Sequence, residues 1–253
     1  MAIYLRYQHA GVTGYGELTG TQVQPLEGEF AAWRGPAGAP LALREVTLLA
    51  PVAPSKIIAI GPNYKAALYP GMAIPEQPMY WTKPASALNH PEGIIELPPG
   101  VPAVNHEVEL GIVIGRRARR VRRDQAADYI LGYTCVNDVT AAELLKKDST
   151  FDQWTRAKSF DTFGPVGPCV TTGLDPAKLV VKTILNGEER QNYPISDMVF
   201  QPAKLVHMIS QDLTLLPGDI ISCGTSLGVG SMKPGSKVEV RIDGIGSLHS
   251  TFE

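Results

Sequence analysis

Glu107 and Glu109, with Asp138 further along the chain, are the side chains whose type and spacing point most directly to chemistry. In Asn105-His106-Glu107-Val108-Glu109-Leu110-Gly111-Ile112-Val113-Ile114 the apolar residues recur with period two. Val108, Leu110, Ile112 and Ile114 take one face of a strand, and Glu107 and Glu109 take the other. Two carboxylates opening an apolar strand are costly to bury unpaired. Asn137-Asp138 ends a second strand-like stretch, Gly132-Tyr133-Thr134-Cys135-Val136, and could bring a third carboxylate to the same place. Three converging carboxylates repel and raise one another's pKa, a conflict that a divalent cation removes. An all-oxygen set suits a hard ion, Mg2+ or Mn2+ with Ca2+ a third candidate, and leaves positions open for water or substrate. Strand alternation turns His106 away from this side, which argues against zinc. Spacing alone leaves a second reading open, with both glutamates solvated and Asp138 capping a turn.

The elements that must position these groups are mostly strands. The 253 residues include 25 Gly and 21 Pro, and the hydrophobic runs are short, a pattern of strands joined by turns. Residues 1–50 read as a small strand-rich N-terminal domain, with strands at 3–7 and 14–18, and residues 51–253 as the larger catalytic domain. Strands are expected at 56–60, Val108–Ile114 and 129–136. Val180–Leu185, Asn186-Gly187 and 188–192 form a hairpin, since Asn-Gly suits the two positive φ angles of a type I′ turn. Lys237–Ile242, Asp243-Gly244 and 247–252 repeat the pattern. Helices are expected at 124–130, 202–211 and 141–147.

Composition excludes several classes. A net charge of −2 gives no global field for nucleic acid or an anionic membrane. Apolar stretches such as residues 46–53 fall short of the roughly 20 residues of a membrane span, and residues 1–10 carry no secretory pattern. Cys135, Cys169 and Cys223 are few, odd in number and far apart, as expected of reduced core residues in a cytoplasmic protein. The arginines between 116 and 123 read as a solvated connection, and His90 and His207 as structural groups.

Taken in order, the motifs resemble the fumarylacetoacetate hydrolase family over residues 45–253. They are Gly61-Pro62-Asn63-Tyr64, Met79-Tyr80-Trp81-Thr82-Lys83-Pro84, His106-Glu107-Val108-Glu109-Leu110 with Val113-Ile114-Gly115, Gly132-Tyr133-Thr134, Asn137-Asp138-Val139-Thr140, Trp154, Ala157-Lys158-Ser159-Phe160-Asp161, Gly164-Pro165-Val166-Gly167-Pro168, Asn186-Gly187-Glu188 with Gln191, Leu216-Pro217-Gly218-Asp219 and Gly224-Thr225. The resemblance implies an α+β, mainly β architecture, the family's β-roll with a small N-terminal domain, usually as a homodimer. It places one Mg2+ or Mn2+ on Glu107, Glu109 and Asp138, an active-site cation at Lys158, and substrate-binding groups at Thr225, Gln191 and Lys83. The implied substrate is a small 2-oxo or enol carboxylate. Its oxo and carboxylate oxygens chelate the ion, which stabilises an enolate as a Lewis acid. On their own residues, Lys158 could be a surface lysine and 224–230 a tight turn. The latter lacks the Gly-Lys-Ser/Thr ending of a phosphate loop.

The pattern breaks where hydrolases of the family carry a His and a Glu to activate water. Ala67 and Pro70 stand there, and Ala142 and Leu145 replace an Arg and a Gln. General acid–base groups contribute about 10²–10⁴-fold, so hydrolysis of a C–C bond suffers more than decarboxylation or isomerisation through an enolate. Two hypotheses follow: a metal-dependent enzyme on a 2-oxo or acylpyruvate-type acid, or a catalytically weak metal and carboxylate binding protein.

Overall fold

In the computed structural model, which describes residues 1–68, 70–145 and 147–253, one strand ladder explains how the carboxylates meet. Val108–Ile114 pairs antiparallel with Ile130–Asn137, Val108 opposite Asn137 and Glu109 opposite Val136. Extending that register by one residue sets Glu107 opposite Asp138, and the Asp138 N–H donates to the Glu107 carbonyl at 2.7 Å. Directly opposed residues share a face, as do residues two apart on one strand. The three carboxylates therefore emerge on one side of one ladder. The strand is buried on both faces: Val108, Leu110, Ile112 and Ile114 join the main core, and Val113 a second cluster with Val136, Val166 and Ile220.

Among the described residues this ladder sits inside a thirteen-stranded sheet. Its main path runs Ala32–Pro36, Gln22–Glu29, Val12–Thr19, Ile3–His9, Gly164–Thr171, Ile130–Asn137, Val108–Ile114, Ile220–Ser222, Ile57–Ile60 and Tyr80–Lys83. A flat sheet would hold the strand ending at Lys83 about 19 Å from the strand leading to Asp138, four steps of roughly 4.8 Å. The Lys83 ammonium nevertheless lies 2.6 Å from Asp138, so the sheet curls until its last strand approaches its middle. A second, five-stranded sheet packs against it, with the order Ile94–Ile95, Gly246–Phe252, Lys237–Ile242, Val180–Leu185 and Glu188–Pro194. The mainly β architecture read from the sequence is the one observed. The strands of residues 1–50 join the large sheet, Ile3 opposite Thr171 and Tyr4 opposite Val170.

Local readings are refined rather than replaced. Asn186 and Gly187 both have positive φ, as the type I′ turn requires. The C-terminal turn differs: it has three residues, because Ile245 follows Asp243-Gly244 and is buried in the core. The helix at 202–211 is observed as Pro202–Asp212, with proline in its first turn. The one at 124–130 is a 3-10 helix, Arg123–Tyr129. The one at 141–147 is a single turn, Ala142–Leu145; Lys146, inside that range, lies outside the described residues. The three cysteines are free and buried.

Candidate metal and carboxylate site

One carboxylate oxygen each from Glu107, Glu109 and Asp138 lies within 4.8 Å of the other two. Asp138 and Glu109 are buried, and Glu107 keeps a partly exposed edge. Two lysines close on this cluster from different elements. Lys83, at the end of Tyr80–Lys83, donates to Asp138 Oδ1 at 2.6 Å. Lys158, at the end of the short helix Trp154–Lys158, donates to Asp138 Oδ2 at 2.7 Å, Glu107 Oε2 at 2.8 Å and Thr140 Oγ1 at 2.6 Å. Lys158 is therefore buried beside the carboxylates and not on the surface.

The charges settle one another unequally. Burial opposes the ionised form of Asp138, but the Lys158 and Lys83 ammonium groups outweigh it and hold its carboxyl below the usual range. Burial likewise works against the Lys158 charge, and the Asp138 and Glu107 carboxylates overcome it, raising its pKa. For Lys83 burial wins, and its pKa is lowered. Glu109 has no lysine partner among the described residues. Burial first, and then the Asp138 charge, push its pKa well above the usual value. Its Oε2 accepts from Ser222 Oγ at 2.5 Å and from the Gly224 N–H at 2.7 Å. Gly224 adopts φ +89, and a Cβ there would stand 3.0 Å from the Ile60 carbonyl, so the position suits only glycine.

This donor set fits a hard divalent ion. Glu109 is oriented through one oxygen and keeps the other unbonded, as an outer-shell partner does for a metal-ligating carboxylate. An ion would supply the positive charge that Glu109 lacks.

Thr225 directly follows Gly224. Its Oγ1 accepts from Gln191 Nε2 at 2.9 Å and lies 3.5 Å from the Tyr193 hydroxyl, which itself donates to the Val108 carbonyl, so the Thr225 proton can go to Tyr193 or to a ligand. Gln191 is 2% exposed, and its amide is spent within the protein. Besides Thr225, Nε2 reaches the Ser226 and Leu227 carbonyls at 3.0 and 3.3 Å, and Oε1 accepts from Thr183 at 2.8 Å. The side chain thus ties down the turn and has no atom left over for a ligand. At about 1 kcal/mol for each net hydrogen bond, Gln191→Ala should cost roughly 2–3 kcal/mol. Gln191→Glu should cost more, because it aims a carboxylate oxygen at the Ser226 and Leu227 carbonyls. Denaturant unfolding of both variants checks this ranking, and a glutamate variant as stable as wild type would contradict it.

His106 is buried, and its ring nitrogens have no hydrogen-bond partner among the described residues. Burial lowers its pKa to about 4, so the ring is neutral. His90 Nδ1 accepts from the Ala50 N–H, and His207 Nδ1 lies 2.8 Å from the Val121 carbonyl, both structural uses. Arg116 and Arg122 pair with Asp128 and Asp124 on the surface. Ala67 belongs to a single 3-10 turn packed on the core and Pro70 is exposed, so neither offers an acid or base. Ser222, which sequence reasoning missed, ends a strand three residues before Thr225, and that adjacency was its only signal.

The family model for the fumarylacetoacetate (FAA) hydrolase C-terminal domain matches residues 56–253, and a model described as Rv2993c-like, N-terminal, matches residues 4–51. The chain belongs to the fumarylacetoacetate hydrolase family. Among relatives of the family, oxaloacetate tautomerase YisK of Bacillus subtilis is 39% identical, the match spanning 81% of this chain and 73% of that protein. A solved 2-hydroxyhepta-2,4-diene-1,7-dioate isomerase from Mycobacterium marinum superposes with a TM-score of 0.91 at 36% identity, covering 100% of this chain and 98% of its own. A 5-carboxymethyl-2-hydroxymuconate delta-isomerase from Mycobacterium smegmatis gives 0.91 at 37% identity, covering 100% and 99%. Family enzymes act on small carboxylates. No helix among the described residues is long and apolar enough to cross a membrane.

Proposed function

We propose that this family member is a divalent-metal-dependent enzyme that interconverts the keto and enol forms of a 2-oxo carboxylic acid. The observation that carries this reading is the contrast within the site. The carboxylates and both lysines are assembled, while alanine and proline stand where a hydrolase activates water.

Glu107, Glu109 and Asp138 would hold Mg2+ or Mn2+, with Ca2+ a weaker fit to catalysis. A bound ion of this kind supplies Lewis acidity at the oxygen on which negative charge develops. The Thr225 hydroxyl can turn from Tyr193 to donate to the substrate carboxylate. The Lys158 ammonium, its three donors held by Asp138, Glu107 and Thr140, would contribute positive charge beside the carboxylates, worth more in a buried site than in water. Moving a proton between C3 and the oxo oxygen adds no water across a bond, so this reaction does not need the water activation that the missing His and Glu would supply. Decarboxylation of a 2-oxo diacid develops the same charge, and the relatives named as a tautomerase and isomerases favour proton transfer. The proposal includes a homodimer, to be checked by light scattering, and a cytoplasmic setting, in keeping with the free buried thiols.

The test follows the ultraviolet decay of enol oxaloacetate with and without Mg2+, beside acylpyruvate cleavage. Tautomerisation should be metal-dependent, with acylpyruvate hydrolysis at least about 10²-fold slower; efficient hydrolysis would overturn the proposal. A second reading, a catalytically weak metal and carboxylate binding protein, draws on Ala67, Pro70, Ala142 and Leu145. It prevails if no acid turns over while oxalate raises the melting temperature in Mg2+.

A further inference from the structure

Two short periodicities stack an aromatic layer on the lysine layer. Trp81 and Lys83 lie two apart on one strand, and Trp154 and Lys158 four apart on one helix, so each tryptophan shares a face with its lysine. The lysines meet at Asp138. The tryptophan rings also meet, stacked with centroids 4.7 Å apart and planes at 22°. Lys158 Nζ sits 5.2 Å from the Trp81 ring centroid and joins the two layers.

Against the tryptophans lies a cavity of about 650 Å³, lined among others by Met79, Trp81, Phe151, Trp154, Asp152 and Arg156. Met79, Phe151 and Trp154 are 50%, 72% and 39% exposed, three large apolar groups around one opening. That volume is within the roughly 300–1,000 Å³ of pockets that enclose drug-sized ligands. The carboxylates and the two lysines are not among its lining residues; the Trp81 ring, which lines it, is the group that Lys158 adjoins. Asp152 and Arg156 bring opposite charges to the lining, so the cavity has no net charge with which to select a second carboxylate.

We propose that this cavity receives the distal part of the substrate, and that the preferred substrate is a 2-oxo acid with an apolar, conjugated or aromatic tail. The inference rests on the tautomerase reading for the head group. Trp154 and Phe151 are then residues that determine specificity.

Phenylpyruvate and oxaloacetate share a head and differ in the tail, so the two enols are compared in Mg2+ by kcat/KM. Wild type should prefer phenylpyruvate. Phe151→Ala and Trp154→Ala should each reduce the phenylpyruvate-to-oxaloacetate ratio by about tenfold, mostly through KM, the scale of one lost apolar contact in a pocket. Phe151, largely exposed, is the variant least able to disturb folding. A ratio unchanged in both variants, or one that collapses only in Arg156→Ala, overturns the inference. Should wild type turn over neither acid, the tautomerase reading fails, and binding still decides the cavity. Phenylpyruvate should quench tryptophan fluorescence and raise the melting temperature more than pyruvate does, and Trp154→Ala should abolish that difference. Equal responses to phenylpyruvate and pyruvate would rule the tail pocket out.

Discussion

Lys158→Met is expected to give a folded but weakened protein with little activity. The substitution removes a buried cation that donates to Glu107, Asp138 and Thr140. Breaking a buried ion pair from one side costs about 3–5 kcal/mol, because the partner stays buried and charged. Lys83 still faces Asp138, which favours the lower end. For a chain of this size each kcal/mol moves the melting temperature by roughly 2–4 °C, so a fall of about 6–15 °C is expected. Turnover of the preferred 2-oxo acid should drop by about 10²–10³-fold, the scale on which a charge-stabilising group matters. Mn2+ should recover more stability in the variant than in wild type, since a divalent ion restores positive charge between Glu107 and Asp138. A melting temperature within about 2 °C of wild type would place Lys158 outside the electrostatics of the cluster.

Glu109→Gln should raise stability without metal while removing the response to metal. Gln preserves the shape, and its oxygen can accept from Ser222 and Gly224 as Glu109 does. The sign follows from linkage. Burial and the Asp138 charge raise the Glu109 pKa in the folded chain, so the folded state keeps a proton that the unfolded chain releases. On this account wild-type stability is highest below the ordinary glutamate range. It falls as pH climbs towards the folded pKa and levels off above it, by about 1.4 kcal/mol per unit of difference. Asp138, with its lowered pKa, acts in the opposite sense and loses its contribution as pH falls through the folded value. The difference between wild type and variant isolates Glu109. Melting curves without metal from pH 4 to 8 should show the Gln variant gaining relative to wild type as pH rises. Mn2+ should then stabilise wild type alone. A variant that loses stability at neutral pH, or still responds to Mn2+, would remove Glu109 from the candidate ligands.

How much of this was legible depended on how far apart in sequence the interacting groups lie. The carboxylate face could be read because period two and one antiparallel register are local rules, and Asn137-Asp138 ends the neighbouring strand. Lys83 could be named from its motif, but its contact with Asp138 could not, since it depends on the curl of the whole sheet. Gln191 showed the opposite failure: its motif marked it out, yet only the packed turn reveals that its amide is fully engaged. The intervals 81–83 and 154–158 were present in the sequence, while their meeting required a strand and a helix brought together by the fold. Ile245 displaced the expected two-residue turn because an apolar side chain gains more in the core than a tighter loop would give.

The attachment of residues 1–50 to the sheet decides where that sheet ends. Without Ile3 and Tyr4, the Val170–Thr171 end of the strand Gly164–Thr171 would present unpaired backbone groups, while its Gly164–Pro165 end is held by Leu88–Asn89. The added strands carry that boundary outward to Ala32–Pro36, five residues long. There Arg34 pairs with Glu27 in solvent, and Pro36 has no N–H to offer. The proposed N-terminal unit therefore ends the sheet on a short strand blunted by a charged pair and a proline.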